Sequence, residues 1–287
     1  MATVSAASGR GKSGDPASGK PRHVLITGAT GGLGQALAAH YAAPGRVLSL
    51  TGRDAARLSA IADTCAARGA HVVSRALDIT DAEALGGWIV ARDEEDPIDL
   101  LIANAGIGGA AVVPPPGGES GELARRILAV NTIGAINTVT PALPRMIARR
   151  RGHIAIVGSI SGSIGMAQSP VYCASKGAVQ IYADGLRRLV RRHGLRVTCV
   201  LPGFIDTPMS RSLDMPRPWC WPAERAARRI AADIARGASR SIFPWQLRAG
   251  IGLQNYLPAA LTDFILEIGA RGGGWTNPEP DEDGGTD

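Results

Sequence analysis

The sequence predicts an α/β fold: a doubly wound, seven-stranded parallel sheet with helices on both faces. Short apolar runs of β-like composition alternate along the chain with longer segments of helical periodicity, the pattern of repeated βαβ units. A glycine-rich turn follows the first of these runs directly. The chain has 287 residues, 45% apolar and 20% charged, which is ample for a core and excludes a fibrous or fully disordered protein.

Each element follows from its local pattern. The predicted strands lie at 23–27, 46–51, 71–75, 98–103, 153–158, 195–201 and 240–243. The predicted helices lie at 33–43, 54–68, 81–92, 119–149, 169–193 and 222–237. The start of the helix near 169 is the best marked, because Ser169 is a suitable N-cap and Pro170 suits the first helical position.

The two ends of the chain differ from the middle in composition. Residues 1–21 consist mainly of Ala, Ser, Gly, Lys, Arg and Pro and have little to bury, residues 271–287 hold a glycine-rich run and the acidic Asp281-Glu282-Asp283, and we predict disordered tails there. Residues 22–245 form the predicted domain. Residues 246–270 form a predicted helical extension that packs on the domain, with self-association or contact with a membrane surface as the alternatives.

Charge and cysteine content exclude several functional classes. The net charge of +6 is diffuse and aromatic residues make up 4% of the chain, so we predict no nucleic-acid partner. The four cysteines, Cys65, Cys173, Cys199 and Cys220, lack the spacing of a disulfide framework or a zinc site, and no metal site is predicted. No secretion signal or long apolar segment is evident, and a reducing, cytoplasmic compartment fits best.

The glycine turn indicates a dinucleotide site. It runs from Thr27 to Gly34 between the first strand and the first helix. Glycine permits a sharp turn, and it lets backbone N–H groups approach a pyrophosphate at the positive end of a helix. A glycine turn alone is weak evidence, but its place between a strand and a helix favours dinucleotide binding.

The end of the second strand favours NADP(H) over NAD(H). A carboxylate there accepts hydrogen bonds from the ribose 2′-hydroxyl of NAD and repels a 2′-phosphate. Gly52 stands at that position, and the next residue, Arg53, offers a planar guanidinium for a phosphate. Arg53 can also be an ordinary solvated charge, and Asp54, a predicted N-cap, leaves room for NAD(H).

A tyrosine and a lysine one helical turn apart are the candidate catalytic pair. Tyr172 and Lys176 emerge on one face of the helix near 169, where an ammonium can lower the pKa of a phenol for proton transfer. Such a pair is common in helices by chance. Two further residues favour a functional role: Ser159 at the end of the fifth strand and Asn131 in the preceding long helix. Because strand ends meet at the carboxyl edge of a parallel sheet, where ligands bind, we expect these four residues to lie close together.

In these residues and their order, the sequence resembles the short-chain dehydrogenase/reductase family, in its shorter branch of single-domain oxidoreductases. The resemblance spans about 22–245. The matching motifs are the T-G-x-x-x-G-x-G turn (Thr27, Gly28, Gly32, Gly34), Asp78, Asn104-Ala105-Gly106, Asn131, Ser159, Tyr172 with Lys176, and Pro202-Gly203 with Thr207. Two positions depart from the family pattern: Ala103 replaces the first asparagine of N-N-A-G, and Gly31 stands where many NADP-binding members carry a basic residue.

The resemblance implies a Rossmann-type, NAD(P)-binding domain and a role for each motif. Tyr172 would exchange the proton with the substrate oxygen, and Ser159 would hydrogen-bond the same oxygen. Lys176 would bind the nicotinamide ribose and lower the tyrosine pKa, while Asn131 would hold a water that links the lysine to solvent. The implied cofactor-binding residues are Thr27, Gly28, Gly32, Leu33, Gly34, Arg53, Asp78, Ile79, Asn104, Ala105, Gly106, Tyr172, Lys176, Pro202, Gly203, Ile205 and Thr207.

The predicted function is an NADP(H)-dependent oxidoreductase that interconverts a carbonyl and a secondary alcohol. Loops 107–120 and 204–222 are the predicted substrate loops, and Met209, Met215, Trp219 and Trp221 suggest an apolar lining and a hydrophobic small-molecule substrate; anchoring of the loop on the core explains them equally well. A homo-oligomer that pairs through the two long helices is typical of the family. The alternatives are an NADP-sensing protein without turnover and an NAD-dependent epimerase or dehydratase.

The histidines at strand starts receive no catalytic role. His23, His71 and His153 lie away from the carboxyl edge of the predicted sheet, so we expect surface or capping positions for them.

Overall fold

A parallel sheet organises the described part of the chain. The computed structural model describes residues 21–108, 119–167, 169–213, 217–247, 249, 257–258 and 260–264. The strands are β1 (His23–Thr27), β2 (Val47–Gly52), β3 (His71–Ala76), β4 (Leu100–Ala103), β5 (His153–Val157), β6 (Arg196–Pro202), β7 (Ile205–Asp206), β8 (Trp221–Pro222) and β9 (Arg240–Phe243). The main sheet has the order β3-β2-β1-β4-β5-β6-β9, and each of its neighbouring pairs is parallel. The predicted fold class is confirmed.

The helices follow the predicted positions. They are α1 (Gly32–Tyr41), α2 (Ala55–Ala66), α3 (Ala82–Glu95), α4 (Gly121–Leu128), α5 (Gly134–Val139), α6 (Leu143–Ala148), α7 (Pro170–Val190), α8 (Pro208–Arg211) and α9 (Ala223–Ala235). The short helix α8 and the small parallel pair β7-β8 lie inside the predicted substrate loop 204–222 and were not anticipated.

The two faces of the sheet are covered because the central strands are apolar on both sides. Val24 and Ile26 of β1 belong to an apolar cluster with α1, α2 and α9. Leu25, between them, belongs to the cluster on the other face with α3 and α7. Near-continuous apolar strands are typical of a parallel sheet buried between two helical layers.

The predicted helix 119–149 is interrupted. A π-helical turn, Ala129–Ile133, joins α4 to α5, and α6 begins only after Pro141. Proline lacks the N–H that continues a helix, which explains the break after α5. By length and composition Gly121–Ala148 would suffice to cross a membrane, but its apolar side chains Ile127, Val139 and Met146 are buried in the core, as in a core helix of a globular protein.

Some expectations fall outside the described residues or are wrong. The predicted tails 1–21 and 271–287 lie almost entirely outside the described residues, as do most of the predicted extension 246–270 and loop residues 109–118. The expectation of a surface position is wrong for His23, which is 1% exposed. Its ring bridges the Ser49 hydroxyl (2.9 Å) and the Asp96 carbonyl (2.6 Å).

Candidate active site

A cavity of about 470 Å³ opens at the carboxyl edge of the sheet. Its walls come from the segments that follow β1, β2, β3, β4, β5 and β6, and from α7. The sheet order reverses between β1 and β4, and the crevice at such a switch point is where open α/β sheets bind ligands.

Three glycines of the turn stand where a Cβ atom would clash with neighbouring atoms. Gly28 has a φ of +67°, and a Cβ there would stand 2.6 Å from the Ala105 Cα. A Cβ on Gly34 would stand 2.1 Å from the carbonyl oxygen of Gly28, and one on Gly32 would stand 2.7 Å from the Thr207 Cγ2. Backbone therefore lines the cavity at the start of α1, as a pyrophosphate at a helix N-terminus requires, and the residues present fit a dinucleotide.

Asn104 joins the glycine turn to the end of β4. Its Nδ2 donates to the carbonyl oxygens of Thr27 and Gly28, both at 3.1 Å. The Thr27 hydroxyl in turn accepts the N–H of Asn104 at 3.2 Å. Thr27 is 1% exposed and does not line the cavity, so it supports the turn from below instead of contacting a ligand there.

Two arginines stand at the far end of the cavity, beyond β2. Arg53 lines the wall, and so does Arg57, which the sequence analysis missed. Arg57 follows Arg53 by one helical turn, and this spacing was the available signal. Asp54, the carboxylate that left room for NAD(H), is engaged as the N-cap of α2, where its side chain accepts the N–H of Arg57 at 3.0 Å.

Asp78 forms the neighbouring wall after β3. Its Oδ1 accepts the N–H of Thr80 at 2.9 Å and the Thr80 hydroxyl at 2.8 Å. These hydrogen bonds, the backbone one first, hold the pKa of the Asp78 carboxyl below its usual value, and the positive charge of Arg53 adds to the effect. The carboxylate is therefore ionised and held in place.

Ser159 and Tyr172 meet in the middle of the cavity. Both line it, and the Ser159 hydroxyl acts on the Tyr172 phenol in the direction that lowers its pKa. Ser159 follows β5 in extended conformation and begins a 3₁₀ turn, where its hydroxyl accepts the N–H of Ser161 at 3.2 Å. The carbonyl oxygen of Ser159 accepts from Gln180 Nε2 of α7 at 2.8 Å, which ties this turn to the helix that carries Tyr172.

Lys176, one helical turn after Tyr172, lies beside Asn131. Lys176 is 5% exposed, and its Nζ donates to the Val157 carbonyl at 3.1 Å. Asn131 is in the π-helical turn, where its Oδ1 accepts the N–H of Ile107 at 2.8 Å. A Cβ on Gly106 would stand 3.2 Å from both the Lys176 Nζ and the Asn131 Oδ1, so the two polar atoms face the same small space.

The protonation of Tyr172 differs from the expectation. Burial raises the pKa of the Tyr172 phenol above its usual value, and the hydrogen bond to Ser159 only partly opposes this. Burial also lowers the pKa of Lys176 to about 8. Loss of hydration therefore dominates the pKa of Tyr172 in this structure, where the Lys176 ammonium donates to the Val157 carbonyl.

Part of the cavity wall is apolar. Beyond Ser159 and Tyr172 the wall includes Ile160, Met166, Met209 and Leu213. Among the described lining residues, the charged ones are Arg53, Arg57, Asp78 and Lys176, and the two arginines with Asp78 stand at the opposite end. The apolar part therefore suits an uncharged group.

The second substrate loop is only partly as expected. Met209 lines the cavity, and Met215 lies outside the described residues. Trp219 and Trp221 do not line it. Trp221 stacks on Phe243 with a 4.9 Å centroid distance, which makes it an anchor of the loop on the core. Arg211 and Arg217 both pair with Asp206, at 2.8 and 3.4 Å.

The cavity gathers most of the predicted site. Of the predicted site residues, Thr27 and Asn131 are the two that do not line it, and both bind residues that do. Outside the predicted substrate loops, the lining residues that the sequence analysis did not assign come mainly from positions adjacent to the motifs: Thr30, Gly31, Gly52, Arg57, Leu77, Val130, Val157, Gly158, Ile160, Ser161, Met166 and Ser169.

Comparison with known proteins gives one consistent result. The family model described as short chain dehydrogenase matches residues 22–217. A protein named as an uncharacterized oxidoreductase of Myxococcus xanthus is 36% identical over 246 residues, which cover 84% of this chain and 95% of the relative.

Solved structures agree on the fold. A short-chain dehydrogenase from Sphingobium yanoikuyae in complex with NADPH is 27% identical, with a TM-score of 0.69, over 83% of this chain and 97% of that one. A short chain dehydrogenase from Mycobacterium paratuberculosis bound to NAD is 25% identical, with a TM-score of 0.67, over 77% of this chain and 95% of that one.

Proposed function

This chain belongs to the short-chain dehydrogenase/reductase family of oxidoreductases, and from that premise we propose that it uses NADP(H) to interconvert a carbonyl and a secondary alcohol. The observation that carries the proposal is that Ser159, which follows β5, and Tyr172 and Lys176 of α7 line one cavity at the carboxyl edge of the sheet. When bound, the nicotinamide supplies or accepts the hydride.

Tyr172 carries the proton in this proposal. Because burial raises the pKa of the phenol, Tyr172 is protonated at neutral pH and can donate to a carbonyl oxygen. Ser159 holds the same oxygen through its hydroxyl. Because both side chains line the same cavity, the substrate oxygen would bind between them.

Lys176 and Asn131 restore the proton to Tyr172. The Asn131 Oδ1 keeps a second lone pair beside its bond to Ile107, and it faces the same space as the Lys176 ammonium. A water bound between these two groups would connect the lysine to solvent. With its pKa lowered to about 8, Lys176 can release and take up a proton near neutral pH.

Preference for NADP(H) rests on the two arginines at the end of β2. Arg53 and Arg57 offer guanidinium groups to a 2′-phosphate, and no carboxylate lies in the described wall beside them except Asp78. The capping bonds of Asp54 keep its carboxylate on the backbone of α2. The structural relatives bound to NADPH and to NAD support a nicotinamide dinucleotide of either kind.

An uncharged, apolar substrate fits the other end of the cavity. An apolar ligand group there would contact Ile160, Met166, Met209 and Leu213. Each Å² of apolar surface that this contact removes from water would stabilise the complex by roughly 25 cal/mol. Methionine side chains adapt to irregular shapes, so several related ketones would bind.

The test is a panel of ketones, aldehydes and secondary alcohols assayed with NADPH and with NADH. We expect turnover of apolar ketones with NADPH, and near-complete loss of turnover in Tyr172→Phe with NADPH binding retained. Tyr182→Phe is the matched control, because Tyr182 lies on the same helix but outside the cavity wall. NADPH binding without turnover of any substrate would instead identify a sensing protein, and product formation without net oxidation of NADPH would indicate an epimerase or dehydratase.

A further inference from the structure

The first turn of α7, which carries Tyr172, is capped by a side chain from a distant part of the chain. The Glu119 Oε1 accepts the N–H of Tyr172 at 3.1 Å, and its Oε2 accepts the N–H of Val171 at 3.3 Å. The predicted cap was Ser169, whose side chain makes no capping hydrogen bond. Ser169 is thus the N-cap residue by position, as predicted, but the side-chain capping comes from Glu119.

Glu119 completes the hydrogen bonding of that turn. Pro170 has no N–H to satisfy. The N–H of Ser169 donates to the Met166 carbonyl at 3.1 Å, and the N–H of Cys173 begins the helical ladder at the Ser169 carbonyl, at 3.0 Å. Val171 and Tyr172 hold the two remaining N–H groups. One carboxylate with two oxygens accepts both.

The neighbouring residue caps a second helix. The Ser120 hydroxyl accepts the N–H of Leu123 at 3.3 Å and is the N-cap of α4. Two consecutive residues therefore join the start of α4, which leads to Asn131, to the start of α7. Deeper in the protein the same helices are joined by Asn131 Nδ2, which donates to the Ser175 Oγ at 3.1 Å.

We propose that Glu119 is a positioning residue, which holds Tyr172 at the reacting atoms and ties the end of the loop after β4 to α7. This proposal rests on the proposed function. Glu119 does not line the cavity, so it acts through the backbone of Tyr172. A misplacement of about 1 Å at a reacting group can cost on the order of 100-fold in rate.

The carboxylate also has an electrostatic effect. The N-terminus of a helix carries a partial positive charge, and Glu119 offsets it beside Tyr172. This favours the neutral phenol. The other titratable or polar groups near Tyr172 are Cys173 and Lys176 on α7 and Ser159 after β5. Loss of the negative charge of Glu119 should thus make the phenol easier to ionise.

The decisive variant is Glu119→Gln in the full chain, because glutamine has the same shape but only one acceptor oxygen. Without substrate, we expect amide hydrogen exchange at Val171 and Tyr172 to accelerate about tenfold. In turnover we expect kcat to fall between about fivefold and 100-fold while NADPH affinity stays within about twofold. In Glu119→Gln, the limb of the pH–rate profile that Tyr172→Phe abolishes should move to lower pH. Glu119→Asp should have a kcat between that of Glu119→Gln and that of the wild type.

Asp81→Asn is the matched control. Asp81 is a carboxylate N-cap of α3, where it accepts the N–H of Ala84 at 3.0 Å, and it does not line the cavity. It should leave kcat and the pH–rate limb unchanged.

The two proposals fail in different ways. If the wild-type chain turns over no carbonyl or alcohol, the proposed function fails whatever the exchange result. If the wild type is active and Glu119→Gln keeps its kcat, its pH–rate limb and its exchange rates, the proposal for Glu119 is overturned alone.

Discussion

At the scale of single residues, the site depends on side chains whose surroundings alter ordinary chemistry. Lys176 is only 5% exposed to solvent, and its pKa of about 8 follows from lost hydration. The same loss of hydration keeps the Tyr172 phenol protonated. Neither effect follows from residue type, because each depends on what packs around the group.

Arg57 provides a test of cofactor preference. We expect Arg57→Ala to raise the KM for NADPH about tenfold or more, because a guanidinium–phosphate hydrogen bond contributes about 1.5–3 kcal/mol. The KM for NADH should change little, since NADH lacks the 2′-phosphate. Arg53→Ala should behave in the same way.

Arg68→Ala is the control for Arg57. Arg68 follows the same helix, α2, but its NH1 donates to the Ala39 carbonyl at 2.8 Å, and it does not line the cavity. Equal losses with NADPH and NADH in Arg57→Ala would contradict the assignment of Arg57 to the 2′-phosphate.

At the scale of elements, the turn between β1 and α1 depends on close backbone approach. Gly28 and Gly45 both have positive φ, +67° and +76°. A Cβ on Gly28 would stand 2.6 Å from backbone of Ala105, whereas one on Gly45 would meet nothing within 4 Å. A substitution at Gly45 therefore measures only the free-energy cost of a left-handed backbone conformation, whereas one at Gly28 adds the cost of a steric clash.

We expect Gly45→Ala to lower the free energy of unfolding by about 1–2 kcal/mol, the cost of a left-handed conformation. Gly28→Ala should cost clearly more and should also weaken NADPH binding, because Ala105 and the turn must move apart. Denaturant unfolding and NADPH titration of both variants give the comparison. Similar stability and NADPH affinity in the two variants would rule out a special role for the Gly28 turn.

At the scale of the whole molecule, the buried His23 and the partly buried His153 at the amino edge of the sheet predict sensitivity to acid. Burial lowers the pKa of His153 to about 4, and the pKa of His23 is lowered for the same reason. Between pH 6.5 and 4 the unfolded chain therefore binds a proton at His153 that the native chain does not. Stability that is present above pH 6.5 is lost as the pH falls through this range.

His153→Gln should remove the part of this pH dependence of stability that comes from His153. We expect the wild type to lose up to about 1.4 kcal/mol per pH unit more than the variant as the pH falls below the ordinary histidine value. Urea unfolding at several pH values measures it. His71→Gln is the control, because His71 is exposed on the edge strand β3. Parallel pH curves for wild type and His153→Gln would contradict the prediction.

Association of two chains stays a prediction at this scale. Leu128, Ile133, Ile181 and Leu189 are exposed apolar side chains in the two long helical segments, and Ile181 is 75% exposed. Contact of the C-terminal segment with a membrane surface also stays a prediction, because most of that segment lies outside the described residues.

The sequence by itself determined where the strands and helices lie along the chain and which motifs stand at their ends. Hydrophobic periodicity, glycine turns and capping residues are local properties of the chain. The seven strands of the main sheet begin and end within two residues of their predicted limits. The glycine turn, Asn104, Ser159, Tyr172 and Lys176 were found because each has a fixed place relative to a strand end or a helical turn.

Only the tertiary structure decided which groups meet across long separations. Glu119 caps α7 over 53 residues, Trp221 packs on Phe243 instead of the cavity, and Arg57 joins Arg53 in the wall. The raised pKa of Tyr172 belongs to the same class. The physical reason is that packing sets burial and the choice among competing hydrogen-bond partners, and packing becomes definite only when distant segments have come together.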